Sequence, residues 1–159
     1  MTLEDVLKES PCLVGMGNPA RRDDGVGSWI AGRLRENGVP CFDVEDVLEN
    51  HVYDIARTGN PSVVIMDAVA AGMEPGAVVF GPLRGAGEPA PVSTHKLALG
   101  LCGRILEESG KRVYLLGIVP RDLDYGPGLT VEVRRAAESI SDLIIGTLKP
   151  GGEEVRHAG

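Results

Sequence analysis

The sequence predicts an α/β protein built as a three-layer sandwich, in which helices cover both faces of a central twisted sheet. Short aliphatic runs alternate with segments of helical periodicity, and most of the runs end at glycine or proline. The composition agrees, because 43% hydrophobic residues with only 4% aromatic ones are typical of an aliphatic core. We expect five mostly parallel strands, one of them an antiparallel edge strand, in a single domain over residues 1–159.

Two strands and three helices are predicted in the first sixty residues. The strands are aliphatic segments beside glycine or proline, and the longest helix has apolar residues at three- and four-residue steps. In chain order these elements are a helix at 3–9, a strand at 12–17, a helix from Asp23 to Gly38, a strand at 39–44 and a helix at 51–57.

The next segments form a central strand and an edge strand. Residues 62–69 include an unbroken apolar run, which is typical of a parallel strand covered on both faces. A type II turn from Glu74 to Ala77 then leads into a strand at 77–81. Too little chain lies between these strands for a crossover helix, so the second is predicted to be the antiparallel edge.

The last third of the chain is predicted to contain a loop, two helices, a strand and a tail. Residues 82–92 are rich in proline, glycine and alanine, and we expect a mobile loop. The core ends at about residue 148, and 149–159 are expected to be a flexible tail. The remaining elements are a helix from Ser93 or Thr94 to about Glu108 with Leu97, Leu101 and Ile105 on its apolar face, a strand at 112–119, and a helix at 130–148 with Val133, Ala137, Ile140 and Ile144 as its buried stripe.

Charge and cysteine content exclude several classes of protein. A formal net charge of −7 disfavours nucleic acid and anionic membrane surfaces as partners. No apolar run reaches the about 18 residues of a membrane span, and the acidic start is unlike a signal peptide, so we expect a cytoplasmic protein. Cys12, Cys41 and Cys102 are odd in number and widely spaced, and are predicted to be reduced core residues.

The first strand ends in a glycine-rich junction that has two interpretations. Gly15, Gly17 and Ala20 match the dinucleotide-binding fingerprint G-x-G-x-x-G/A loosely, which leaves a nucleotide-binding module as one alternative. However, Asp23 and Asp24 follow, and negative charges at a helix start oppose a phosphate and favour a cation. Since one carboxylate suffices as a helix cap, Asp23 is the predicted cap and Asp24 the predicted ligand.

Asp67 and His95 are the other candidate site residues. Asp67 ends the apolar run of the third strand, and His95 lies at a predicted helix start, which disfavours the imidazolium and predicts a neutral ring. Each also has a structural interpretation, as the cap of a turn and as a satisfied or exposed histidine. Together with Asp24 they would form an open O, O, N site that suits nickel or zinc.

Four motifs occur in one order over about residues 12–145. They are Gly15-Met16-Gly17-Asn18 with Asp23-Asp24 and Gly27, then Ile65-Met66-Asp67-Ala68, then Ser93-Thr94-His95, and last Gly117-Ile118-Val119-Pro120. In order and spacing they resemble the motifs of hydrogenase maturation endopeptidases, the first being that family's G-x-G-N-x-x-x-x-D-[DE]-x-x-G opening. One segment departs from the family, which usually has Asp-Gly-Gly-Thr or Asp-Gly-Gly-Ser where this chain has Asp43-Val44-Glu45-Asp46.

The resemblance implies a nickel-binding triad of Asp24, Asp67 and His95, with the nickel carried by the substrate and the enzyme alone metal-free. The implied reaction removes a short C-terminal extension from the nickel-loaded precursor of a nickel-iron hydrogenase large subunit. That precursor is the expected partner, and we expect the enzyme to act as a monomer. The alternatives are a zinc-dependent small-molecule hydrolase with the same triad, a non-enzymatic chaperone of the large subunit, and the nucleotide-binding module.

Overall fold

A computed structural model describes residues 1–83 and 92–149 of the chain. Most of the predicted mobile loop and tail, at 84–91 and 150–159, lies outside these ranges. The helices are α1 (Leu3–Lys8), α2 (Val26–Glu36), α3 (Val52–Ala56), α4 (Lys96–Glu108) and α5 (Val131–Leu148), with 3₁₀ turns at Arg22–Gly25 and Leu48–Asn50. The strands are β1 (Cys12–Met16), β2 (Phe42–Glu45), β3 (Ser62–Ala70), β4 (Val78–Pro82), β5 (Val92–Ser93) and β6 (Arg112–Ile118).

The strands form one twisted sheet in the order β2-β1-β3-β6-β4. All neighbours on this path are parallel except β4, which runs antiparallel to β6 at the edge, as predicted. The turn before β4 has Gly76 at a φ of 89° and a 3.0 Å hydrogen bond from the Ala77 amide to the Glu74 carbonyl, which fits the predicted type II turn. The two-residue strand β5 pairs with the end of β3 and was not predicted.

The order of the strands creates a switch point between β1 and β3. From β1 the chain proceeds to β2 on one side of it, and then returns to place β3 on the other side. In open α/β sheets, ligands bind beyond the carboxyl ends of the strands at such a point. The side chains that follow β1 and those at the end of β3 are therefore the ones placed for function.

The helices cover both faces of the sheet, as the predicted three-layer sandwich requires. One core packs α1, α2 and α5 against the sheet, and the other packs α3 and α4. Successive residues of β3 alternate between these cores, with Val64 and Met66 in the first and Ile65 and Val69 in the second. Asp67 lies two residues from both Ile65 and Val69, and residues two apart in a strand point to the same face. Its side chain therefore lies on the face that α3 and α4 cover.

Helix α2 rests directly on the sheet through glycines. A Cβ atom at Gly27 would lie 2.1 Å from the Met66 carbonyl oxygen and 2.2 Å from that of Met16, and one at Gly15 would lie 2.2 Å from the Gly27 carbonyl oxygen. No side chain fits at either position, because backbone meets backbone there. Gly15 of the glycine-rich junction therefore serves helix-to-sheet packing, and the start of α2 is held close to the ends of β1 and β3.

The buried face of α4 differs from the predicted one. Of the predicted face, Leu97 and Leu101 are 78% and 62% exposed and Ile105 packs against the core, while the helix buries Leu99, Cys102 and Leu106. The helix carries apolar residues on two different faces, so periodicity alone does not decide which one meets the sheet. By contrast, the predicted stripe of α5, made of Val133, Ala137, Ile140 and Ile144, is buried as expected.

The three cysteines are free thiols in or against the core, as predicted. Cys12 and Cys102 are buried, and Cys41 is partly buried. Burial raises the pKa of the Cys41 thiol to about 12. The thiol is therefore protonated near neutral pH and is a poor nucleophile.

Candidate functional site

Asp24, Asp67 and His95 come together at the carboxyl edge of the sheet, on one strand and the two segments beside it. Asp24 lies in the 3₁₀ turn that follows β1, Asp67 lies in β3, and His95 lies between β5 and α4. The Nδ1 atom of His95 is 2.9 Å from Oδ2 of Asp67, and its Nε2 atom is 3.8 Å from Oδ2 of Asp24. The imidazole ring thus stands between two buried carboxylates.

Asp24 is held in place by the loop that precedes it. Gly17 has a φ of 136°, and a Cβ atom there would lie 1.8 Å from the Asp24 carbonyl oxygen, so only glycine allows the chain to pass. The Asn18 amide donates a 3.1 Å hydrogen bond to Oδ2 of Asp24. The Asp24 carboxylate thus accepts the hydrogen bond of a loop amide, that of Asn18, which a dinucleotide phosphate would need. This contact argues against the nucleotide-binding alternative.

Asp23 is not a helix cap, contrary to the prediction. Helix α2 begins at Val26 with no side-chain cap. The Asp23 carboxylate is fully buried and crosses to the loop between β6 and α5. It accepts hydrogen bonds from the Arg121 amide (2.9 Å), the Asp122 amide (3.0 Å), and the Thr130 amide and hydroxyl (2.8 and 2.7 Å). The intervening 3₁₀ turn moves Asp23 away from the helix start, so it joins two loops of the carboxyl edge.

Asp67 does not end its strand, although it ends the apolar run that predicted the strand. β3 continues to Ala70 because Ala68 pairs with Ile118 of β6 and the last two residues pair with β5. The residue is 1% exposed. Its Oδ1 atom accepts a 2.8 Å hydrogen bond from the Ala68 amide. Its Oδ2 atom contacts His95 and also accepts a hydrogen bond from the Ser93 hydroxyl.

His95 is the most accessible of the three side chains. Its side chain is 16% exposed, against 2% for Asp24 and complete burial for Asp67. The hydrogen bond to Asp67 raises the pKa of His95 above its ordinary value, and the charge of Asp24 adds to this effect. The direction of this shift is opposite to the one expected at a helix start, because two carboxylates flank the ring.

Ser93 is a residue of this site that the sequence analysis assigned elsewhere. It was predicted as one of two possible caps of α4, but the N-cap of that helix is His95, without a side-chain hydrogen bond. The Ser93 hydroxyl instead contacts Asp67 and accepts a 2.9 Å hydrogen bond from the His95 amide. Its role follows from the pairing of β5 with β3, which a two-residue strand does not reveal in a sequence.

The polar groups of Asp67, Ser93 and His95 form hydrogen bonds with one another in this structure. Within the described ranges, no group of three or more His, Cys, Asp or Glu side chains has the arrangement of a preformed metal centre. In the same ranges, no helix combines the length and hydrophobicity that a membrane span requires. The site is a compact acid–imidazole cluster, approached from solvent at the His95 ring.

The chain has a doubly wound α/β fold, and the cluster lies at its switch point. It is 31% identical to the nickel-iron hydrogenase maturation protease HycI from Thermococcus kodakarensis, whose crystal structure it matches with a TM-score of 0.81 over 92% of this chain and 98% of the other. The chain therefore belongs to the family of nickel-iron hydrogenase maturation proteases, as the motifs predicted.

More distant members of this family share the fold. The maturation protease HybD from Thermococcus kodakarensis is 22% identical, with a TM-score of 0.71 over 83% of this chain and 94% of the other. The endopeptidase HycI from Escherichia coli is 22% identical, with a TM-score of 0.70 over 86% and 89%. No protein-family model matches the sequence, and no curated protein does so either.

Proposed function

We propose that the protein is an endopeptidase that removes the C-terminal extension of the nickel-loaded precursor of a nickel-iron hydrogenase large subunit. The observation that carries the proposal is the meeting of Asp24, Asp67 and His95 at the switch point. Membership of the maturation protease family supports the reaction class, and the site chemistry supports nickel as the feature of the precursor that is recognised.

The donor atoms suit a borderline divalent ion that the substrate presents. Two ligand atoms, each about 2.1 Å from one ion, lie roughly 3 to 4 Å apart. The separation of 3.8 Å between Nε2 of His95 and Oδ2 of Asp24 falls in this range. Carboxylate and imidazole ligands complement thiolates of the precursor, which are the softer ligands for the same ion.

The hydrogen bonds inside the site explain why the substrate would bring the metal. A cation that approaches the free enzyme has to displace the bond between His95 and Asp67 before both side chains can bind it. The burial of the carboxylates makes these bonds costly to lose. Weak affinity for free nickel and tight binding of a nickel-loaded precursor are both consistent with this arrangement.

Asp24 is the carboxylate better placed to move a proton during hydrolysis. Among the described residues, Asp67 makes its hydrogen-bonding contacts with its own strand, with β5 and with the residue before α4, namely with Ala68, Ser93 and His95. Among the described residues Asp24 accepts one hydrogen bond, from Asn18, and it faces Nε2 of His95, the ring nitrogen that Asp67 does not contact. We assign to Asp24 the proton transfer that accompanies attack of water on the peptide, and to nickel the polarisation of the reacting groups.

The test mixes the purified protein with nickel-loaded and nickel-free precursor and follows the precursor mass. Loss of a C-terminal peptide from the loaded form alone supports the proposal. Binding of the precursor without any change in mass identifies a chaperone instead. Hydrolysis of small peptides or esters with tightly held zinc identifies the small-molecule hydrolase.

A further inference from the structure

The hydroxyl of Ser93 links the two halves of the acid–imidazole pair. It donates a hydrogen bond to Oδ2 of Asp67 and accepts one, of 2.9 Å, from the backbone amide of His95. The residue is 7% exposed. A single buried group therefore contacts both the carboxylate and the backbone that carries the ring.

Backbone pairing places this hydroxyl. Ser93 lies opposite Val69 in the antiparallel pairing of β5 with β3, and the Thr94 amide donates a 3.3 Å hydrogen bond to the Ala68 carbonyl. Val69 and Asp67 have the same parity on β3, so the side chain opposite Val69 lies on the face that holds Asp67. The register of two short segments thus aligns Ser93, Asp67 and His95.

We propose that Ser93 is a positioning residue, which fixes the orientation of Asp67 and of the His95 backbone so that the ring presents Nε2 to Asp24. The inference rests on the proposed function only for its kinetic consequence. Groups that orient the ligands or catalytic residues of a site typically contribute about 10- to 100-fold to affinity or activity.

The geometry distinguishes this role from that of a serine nucleophile. A nucleophilic serine donates its proton to the base that activates it and stands open to the substrate. Here the Ser93 proton is given to Asp67, and the hydroxyl oxygen is already engaged by the His95 amide. The ring atom that Asp67 holds is Nδ1, and Nε2 faces Asp24.

Ser62 provides a matched control on the strand that carries Asp67. It is fully buried at the start of β3, and its hydroxyl has no hydrogen-bond partner among the described residues. Ser62→Ala therefore removes the same atoms as Ser93→Ala without breaking a bond. Ser93→Thr keeps the hydroxyl, and Ser93→Cys keeps the shape with a weaker donor, so at least one folded variant is available for comparison.

Two measurements test the proposal. The first is kcat for cleavage of the nickel-loaded precursor, where we expect a loss of about 10- to 100-fold in Ser93→Ala, an intermediate loss in Ser93→Cys and recovery in Ser93→Thr. The second is the nitrogen NMR spectrum of the His95 ring in the free protein, with His51 as internal reference. We expect the His95 signals to shift in Ser93→Ala and to return in Ser93→Thr.

The outcomes separate this proposal from the proposed function. Shifted ring signals that return in Ser93→Thr, without cleavage of the precursor by any variant including the wild type, would support positioning and reject the maturation activity. Ring signals and kcat equal to those of Ser62→Ala would overturn the positioning role. Complete loss of cleavage with unchanged ring signals would also overturn it and would identify Ser93 as the nucleophile.

Discussion

Asp23 and Asp24 are adjacent in sequence, but their carboxylates contact different parts of the site. Asp23 accepts four hydrogen bonds from residues 121–130, whereas Asp24 lies 3.8 Å from the His95 ring. One carboxylate therefore joins two loops, and its neighbour is available for chemistry. This division yields the first two predictions.

Asp24→Asn is expected to fold normally and to lose cleavage of the nickel-loaded precursor. The change keeps the size of the side chain but removes the charge that would contact the metal and accept a proton. His95→Gln is expected to have the same effect, because it removes the ring nitrogen that faces Asp24. Asp54→Asn and His51→Gln serve as controls, and near wild-type cleavage by Asp24→Asn would contradict the assignment. Mass spectrometry of the precursor provides the measurement.

Asp23→Asn is expected to destabilise the protein by about 2 to 4 kcal/mol, because an amide group replaces a buried carboxylate that accepts four hydrogen bonds. Urea denaturation measures the free energy of unfolding. Asp142→Asn is the control, since the Asp142 side chain is 67% exposed and forms a surface ion pair with Arg33, worth about 0 to 1 kcal/mol. Equal stabilities of the two variants would show that Asp23 does not hold the loops together.

The protein without substrate is expected to bind Ni²⁺ and Zn²⁺ weakly. The hydrogen bond between His95 and Asp67 competes with the metal, so no preformed set of ligands awaits it. Isothermal titration calorimetry of the free protein tests this, with the Asp24→Asn variant as the reference for adventitious binding. Nanomolar binding of zinc that disappears in this variant would favour the small-molecule hydrolase.

Glu45→Gly is expected to raise the free energy of unfolding by up to about 1 kcal/mol. Glu45 has a φ of 50°, a left-handed conformation that glycine adopts without strain, and it stands at the second glycine of the family's Asp-Gly-Gly pattern. Its carbonyl oxygen accepts a 2.7 Å hydrogen bond from the Gly17 amide, and the change leaves this bond intact.

Val44→Gly, at the other glycine of that pattern, provides the contrast. Val44 is 1% exposed and packs in the core beneath α3 and α4, so we expect a loss of about 2 to 4 kcal/mol. Thermal or urea unfolding of both variants gives the comparison. A loss in Glu45→Gly as large as that in Val44→Gly would show that the conformation at Glu45 is not strained.

Local patterns in the sequence predict most of the fold. Every predicted helix and strand is present within three residues of its expected bounds, and the stripe of α5 is buried as its period indicates. Helix α4 is the exception, because Leu97 and Leu99 lie on nearly opposite faces that both carry apolar residues, and only tertiary packing decides between them.

The composition of the site was more predictable than its internal contacts. Asp24, Asp67 and His95 follow from residue type and from proximity to the ends of strands. The contacts of Asp23 and Ser93 depend on segments far away in sequence, namely the loop after β6 and the extension of β3. Pairing over such distances leaves no local pattern to read, and the raised pKa of His95 likewise depends on a contact with a residue distant in sequence, Asp67.

The most direct test of the account compares nickel-loaded with nickel-free precursor as substrates of the same enzyme preparation. The C-terminal mass of each precursor is followed over time, with Asp67→Asn as the inactive reference. We predict that the loaded precursor loses its C-terminal extension and that the nickel-free precursor stays intact. Cleavage of both precursors at equal rates, or of the loaded precursor by Asp67→Asn at the wild-type rate, would contradict the central claim that these side chains recognise the metal carried by the substrate.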